Sequence, residues 1–408
     1  MLHSLRHGGR RLYSLTQTIQ ASMRTAHIIT RLIIGGAQEN TLHTVDDQHH
    51  LFGDEVCLIT GPGLGPEGSL EQRAQDRSLD LRVLPELGRR ISPLQDLQAL
   101  LSIRRELQRF RPDIVHTHSS KAGILGRLAA RQLGIPVVHT IHGAAFHHGQ
   151  HPLLYHTYRL IERLAARCSS HFISVCDAMT AQYLQAGIGR SEQFTTIYSG
   201  MDVEAFQQAA PARQEIRRQL NIPDSCVVFG KIARLFGLKG HNWLIEAAPQ
   251  VVEKFPRIRF LLVGDGVLRE QYQHRIRELG LEDYFLFTGL IPPTEVPRYV
   301  HAMDVVVHTS DWEGLPRVLP QGLLAGKPVV AFNRDGCPEV CLHESTGLLV
   351  EHADIDGLAS AMQRLAANPE LRDELGTNGR KLCSKRFCHK HMTEQIREVY
   401  QRVLKKDF

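Results

Sequence analysis

Short runs of β-branched and apolar residues recur along the chain, each followed by a longer stretch whose apolar positions repeat at helical spacing. That alternation is the pattern of βα units and a parallel sheet. In the first half the runs are AHIIT (26–30), EVCLIT (55–60), LRVLP (81–85), DIVHTH (113–118), PVVHTIH (136–142), FISVC (172–176) and TTIY (195–198). The series restarts with CVVFGKIA (226–233), RFLLVGD (259–265), YFLFTG (284–289), DVVVHT (304–309), PVVAF (328–332) and TGLLV (346–350). Between them, residues 199–224 carry Pro211 and Pro223 among mixed polar and charged residues, which puts a domain boundary near residue 200. The pattern predicts an α/β chain of two parallel-sheet domains, over 23–200 and 201–387, with a last helix in 388–408 placed to pack back across the boundary. In the helix after DIVHTH, Ser119 or Ser120 is the expected cap, Ile124, Leu125, Leu128 and Ala129 share one face, and Gly134 ends it.

Length agrees with two domains, because a single core seldom grows beyond about 250–300 residues and this chain has 408. With 42% hydrophobic and 22% charged residues it has the makings of globular cores, which excludes a disordered or fibrous chain. The net charge of +5 is spread without a Lys/Arg block, so it favours anionic ligands or lipid surfaces and does not point to nucleic acid. Eight scattered cysteines form no CxxC pair, as expected of buried thiols in a reducing compartment. No stretch reaches 18 consecutive apolar residues. The expected location is therefore cytoplasmic, with peripheral contact at the inner face of the membrane. Residues 1–22 lack acids and an apolar core, so they do not read as a secretory signal. They are read as a disordered tail or an upstream mis-start before Met23, the alternative being a basic membrane-touching segment.

Candidate chemistry gathers where strands give way to helices. In LIIGGAQENTL, Gly35 and Gly36 let the backbone approach a ligand ahead of a helix amino terminus, whose free N–H groups suit an anion. Gly63, Gly65 and Gly68 imitate a dinucleotide fingerprint, but Pro62 and Pro66 each remove a backbone donor, so the segment reads as a loop. His116, His118, His139 and His142 cluster near the ends of adjacent strands without metal-ligand spacing. His142, followed by Gly143, is the one favoured for a cleft edge, and the others are read as core or surface histidines. Arg234 and Lys239 flank a loop leading into a helix, where two cations neutralise a diphosphate. LLVGDG, with Asp265 and Gly266, and FTGL, with Leu290, are further strand ends on which a base or ribose would lie. In DWEGLPRVLPQGLLAGKPVVA (311–331), Glu313 offers a carboxylate, Gly314 and Leu315 are expected to open a helix with two backbone donors, and Gln321 is expected on the same helix face. Asp354 before GLASAMQRL reads as a helix cap and not as half of a metal-binding DxD.

Taken together, GGAQE, DIVHTHSSKAGILGRLAA, HTIHG, IARLFGLKGH, LLVGDG and EGLPRVLPQGLLAGKPVVA resemble, in order and spacing, the retaining glycosyltransferase family four of the GT-B type. The resemblance runs from Met23 to the carboxyl terminus and implies two Rossmann-like domains facing each other across a cleft, a nucleotide diphosphate sugar as donor, UDP- or GDP-linked, and a carbohydrate or lipid-linked acceptor. The product would belong to polysaccharide, lipopolysaccharide or glycolipid assembly, formed with retention and without metal or cofactor, the nucleotide sugar being a substrate. It further implies that His142 and Glu313 act on the donor sugar and that Arg234 and Lys239 hold the diphosphate. Gly36, Asp265, Gly266, Leu290, Gly314 and Leu315 would complete the donor site. One position departs from the pattern: the family's second acid, seven residues beyond the first, is here Gln321. A neutral amide there weakens donor binding by on the order of 1 kcal/mol while keeping the geometry. Rival readings are a nucleotide-sugar epimerase or phosphorylase on the same scaffold, a catalytically impaired sugar-nucleotide-binding protein, and, most remotely, a dehydrogenase.

Overall fold

The computed structural model describes residues 22–65, 68–147 and 149–406, so the reading of the first 21 residues and part of the glycine-rich loop lie outside the described residues. All thirteen expected strands are present. The first sheet holds β1 (Arg24–Ile29), β2 (Glu55–Thr60), β3 (Asp80–Val83), β4 (Ile114–His118), β5 (Val137–Ile141), β6 (His171–Ser174) and β7 (Phe194–Thr196). Its order is β3-β2-β1-β4-β5-β6-β7, parallel throughout. The second sheet holds β8 (Val227–Ile232), β9 (Ile258–Val263), β10 (Phe285–Phe287), β11 (Val305–His308), β12 (Val329–Phe332) and β13 (Gly347–Val350). It runs β10-β9-β8-β11-β12-β13, also parallel. In both sheets the order reverses beside the first strand, which opens a crevice at the carboxyl ends, where open α/β sheets take their ligands.

Three local expectations are corrected. Helix Ser120–Gln132 has no side-chain cap from Ser119. The Thr30 hydroxyl at the end of β1 accepts from Ala122 N–H, and Ser119 Oγ bonds back to Thr30. The buried face of that helix is also not the large aliphatic one, since Ala122, Gly126, Ala129 and Ala130 are buried while Leu128 is exposed. Close approach to the sheet is the reason: a Cβ on Gly126 would sit 2.8 Å from Thr117 Cγ2, so only small residues fit between helix and strand. Finally, Gly314 and Leu315 do not open a helix. The helix is Val318–Leu324, because Pro316 disfavours helical backbone at the residue before it, and Glu313 and Gln321 therefore share no helix face. Asp354 does cap Ile355–Ala367, accepting from Gly357 N–H.

The chain crosses between the domains twice, near residues 200 and 388, and the crossings hydrogen-bond to each other through Met201 N–H to Phe387 O and His389 N–H to Met201 O. Gly200 is required here, since a Cβ would lie 2.5 Å from His389 Cα. The last helix, His389–Lys406, then lies against the first domain, where Met392, Ile396, Val399 and Tyr400 share a core with Met23, Ile114, Val138 and Ile173. A buried ion pair fastens it: Arg397 Nε and Nη2 donate to the two oxygens of Asp54 at 2.8 and 2.9 Å, and Asp54 also accepts from Met23 N–H.

Removing one member of a buried pair strands the other charge. Arg397→Ala is expected to lower stability by about 3–5 kcal/mol in urea unfolding, and a loss below about 1 kcal/mol would show that the helix is not fastened this way.

Candidate functional site

A cavity of about 250 Å³ lies between the domains. Its wall takes Gly36, Ala37, His142 and Ser199 from the first domain, and Ala233, Lys239, His308, Glu313, Gly314, Leu315 and Arg317 from the second. Strand geometry explains the selection. His142 follows β5, His308 ends β11, Glu313 lies in the loop beyond it, and Lys239 stands in a single turn between β8 and helix His241–Lys254.

The charged centre is a pair, Lys239 Nζ to Glu313 Oε1 at 2.6 Å. Glu313 N–H donates to Asp335 Oδ2 at 2.9 Å, and His308 Nε2 lies 3.6 Å from the Glu313 carboxylate. Burial by itself raises the Glu313 pKa, but Lys239, His308 and a Ser310 hydrogen bond outweigh it and hold the carboxyl below its ordinary value. Beneath them Lys231 is buried and donates to Thr309 Oγ1 at 3.0 Å. Burial, helped by the Lys239 charge, brings its pKa down to about 7.

From the first domain, helix Gly36–His50 points its amino terminus at the cavity with Gly35 as a cap that has no side chain. Arg317 reaches this helix from the second domain, donating to Gly36 O at 3.1 Å and pairing with Glu39 Oε2 at 3.0 Å. Sequence reasoning missed Arg317, Glu39, His308 and Lys231. Arg317 lies inside the EGLPR motif, but nothing in the motif says that its side chain crosses the cleft.

The expected site residues thus fall into groups. Gly36, His142, Lys239, Glu313, Gly314 and Leu315 meet in the cavity wall. Arg234, Asp265, Gly266 and Leu290 form an adjoining shelf at the ends of β8, β9 and β10, where Leu235 N–H bonds Asp265 O and Gly264 bridges Gly289. Arg234 is exposed, with its guanidinium 5.0 Å from the Phe236 ring, and Asp265 pairs with Arg269 at 3.0 Å. Gln321 is partly buried on helix Val318–Leu324 and does not line the cavity.

The histidines gather more tightly than strand ends alone require. His27, His116 and His118 are buried with ligand atoms within 4.8 Å of one another, the geometry of a metal cluster. Every one of their six ring nitrogens, however, already has a protein partner. His27 takes Gln48 and His118, His116 takes Tyr400 and Thr140, and His118 takes His27 and His142. These rings do not offer the free lone pairs that a metal needs. His27 was not singled out in the sequence, since one histidine inside AHIIT carries no signal of partners on other strands.

Residues 212–382 match the family described as Glycosyl transferases group 1, and residues 35–200 match the Glycosyl transferase 4-like domain. The chain is 30% identical over 365 residues to the UDP-Gal:alpha-D-GlcNAc-diphosphoundecaprenol alpha-1,3-galactosyltransferase of Escherichia coli, spanning 87% of this chain and 91% of that one. It is 25% identical over 334 residues, 79% of this chain and 85% of the relative, to the capsular polysaccharide biosynthesis glycosyltransferase CapM of Staphylococcus aureus. In fold it is similar to Anabaena HepE, solved in complex with UDP and glucose, with a TM-score of 0.80, 24% identity, and coverage of 93% of this chain and all of that one.

Burial also sets the acid response. Desolvation lowers the pKa of His27 to about 4 and of His142 and His308 to about 3, and holds His116, His118 and His139 well below 6.5. The unfolded chain binds protons at these rings near 6.5 while the folded chain does not, so the rings leave stability unaffected above about pH 7 and lower it as pH drops below 6.5. Each ring costs about 1.4 kcal/mol per pH unit. Cooperative acid unfolding with a midpoint above about pH 4.5 is expected by circular dichroism. A chain still native at pH 4 would contradict the burial described.

Proposed function

The chain belongs to the glycosyl transferases of group 1, and on that premise we propose that it moves a hexose from a UDP-sugar to a hydroxyl of a lipid-linked saccharide, with retention and without a metal. The observation that carries this reading is the cleft itself, where the Lys239–Glu313 pair of one domain faces His142 and the amino terminus of helix Gly36–His50 of the other. An arriving diphosphate competes for Lys239 and takes further neutralisation from Arg234 and the helix amino terminus. Glu313, released from its partner, binds a sugar hydroxyl. The bond from the anomeric carbon to the diphosphate oxygen breaks as the acceptor oxygen attacks from the same face. The acceptor proton passes to the departing phosphate oxygen, so no protein nucleophile is required, and closure around the donor excludes water.

The acceptor reading draws on the first domain. A second cavity of about 560 Å³ beside the cleft is lined by Arg31, Arg89, Ile91, Ile124, Tyr158 and the Lys121–Asp96 ion pair, among others. Ile91 is exposed, as are Leu94 on helix Pro93–Phe110 and Leu153 and Leu160 on helix Pro152–Ala166, two helices that contribute to its wall. Cations beside exposed aliphatic side chains suit a phosphate-linked lipid at a membrane surface. The relative from Escherichia coli acts, by its name, on a sugar joined through diphosphate to undecaprenol. No described helix is long and apolar enough to cross a membrane.

In a panel of UDP-, GDP- and ADP-sugars with lipid-linked acceptors, nucleotide release is expected with a UDP-sugar. Lys239→Ala and Glu313→Gln are each expected to cut kcat by about 10²-fold or more, and full turnover in both variants would remove the site assignment. For the acceptor face, the wild type is expected to sediment with anionic vesicles and the double variant Leu94→Asp, Leu153→Asp to stay in the supernatant. Equal sedimentation of the two would exclude that surface.

A further inference from the structure

His142 stands at the end of a line of buried side chains. Gln48 Oε1 is 2.9 Å from His27 Nε2, His27 Nδ1 is 3.0 Å from His118 Nε2, and His118 Nδ1 is 3.1 Å from His142 Nε2. Consecutive rings stack, with centroids 5.3 Å apart at 10° for the first pair and 5.4 Å apart at 28° for the second. Gln48, His27 and His118 are fully or almost fully buried, and His142 alone forms part of the cavity wall.

Such a line has a direction. An amide oxygen only accepts, so His27 carries its proton on Nε2 and leaves Nδ1 bare. His118 must then donate from Nε2, leaving its own Nδ1 to accept from His142 Nε2–H. The last ring is left with a bare Nδ1 as its remaining polar atom. Gln48 is held here by its bond to His27, and its Nε2 is buried with no hydrogen-bond partner among the described residues. Beside the line, Tyr400 is joined to His116, and His116 Nε2 lies 2.6 Å from Thr140 Oγ1, so these groups find their partners within the same core. Desolvation keeps all these rings neutral, and neutrality preserves the line, since a doubly protonated ring has no nitrogen left to accept.

We propose that Gln48, His27 and His118 are positioning residues that hold His142 in the neutral tautomer protonated at Nε2, so that the donor pocket presents Nδ1 as an acceptor to one hydroxyl of the transferred sugar and selects donors that carry that hydroxyl. The tautomer follows from the relay alone, whereas the selection rests on the cleft being the donor site, as inferred above. A site built to accept from a hydroxyl rejects the deoxy analogue strongly, because the buried acceptor is then left unpaired.

The test uses the full chain labelled with [15N]histidine, with His142→Gln to assign the resonances. Long-range 1H–15N correlation is expected to show His142 with a protonated Nε2 and a bare Nδ1 in the free protein. Gln48→Met removes the terminal acceptor at similar volume. It is expected to let the Nδ1–H tautomer appear at His142, and to reduce discrimination between a UDP-hexose and its monodeoxy analogues by about 10-fold or more in kcat/KM. A merely structural role would lower the melting temperature and leave tautomer and discrimination as they were. A wild-type His142 protonated at Nδ1, or an unchanged tautomer in folded Gln48→Met protein, overturns the relay. Lack of transfer with every donor, beside the expected tautomer, would count against the donor-site reading and not against the relay.

Discussion

The return of helix His389–Lys406 to the first domain decides how the two sheets meet. The chain leaves that domain once and comes back once, and the two crossings touch so closely at Gly200 and His389 that they form one narrow connection. Beyond it, the helix is anchored by an apolar strip and by the Arg397–Asp54 pair, both charges removed from water. A hinge that ended freely would let the domains drift apart. Anchored, it keeps the carboxyl ends of two parallel sheets turned toward one gap, and this gives Lys239 and His142 a common cavity.

Within the gap the electrostatics are balanced before any ligand arrives. Lys239 is matched by Glu313, and Arg317 by Glu39 across the domains. Lys231 is deeper, and burial weakens its charge. Isolated buried cations would be costly, and pairing them with carboxylates offsets that cost. The Arg317–Glu39 contact joins the two domains beside the same cavity.

The first domain adds a polar core of unusual extent. Helix Gly36–His50 buries Asn40, Thr44, Asp47 and Gln48 as well as Leu42 and Val45, because it lies between the sheet and the returning helix. Asp47 accepts from His389 and Thr393, and Gln48 meets His27. Such groups need partners once water is gone, and His27 of β1 supplies one for the Gln48 amide oxygen. The helix whose amino terminus faces the cleft is thus tied through its other end to the ring behind His142.

Much of this was legible from residues 24–350 read as a line. β-Branched runs marked every strand, since a strand buried on both faces needs continuous apolar side chains whatever its neighbours are. Gly36, His142, Lys239 and Glu313 were legible for a related reason: a parallel sheet delivers the residues after its strands to one edge, so strand ends converge without knowledge of the packing. The start of helix Val318–Leu324 was misread although Pro316 was in view, because the glycine before it drew the boundary too early. The aliphatic face of helix Ser120–Gln132 was misread because periodicity shows which residues share a side and not how near the sheet lies. The partners of His27, Gln48, Tyr400 and Arg317 were beyond reach for a deeper reason. Hydrogen bonds and ion pairs between positions up to several hundred residues apart leave no periodic trace, and a polar helix looks the same in sequence whether water or another helix covers it. Local pattern determined the strands and their ends, whereas the burial that makes those polar groups pair, and so makes the cleft a site, exists only once the last helix has closed over the first domain.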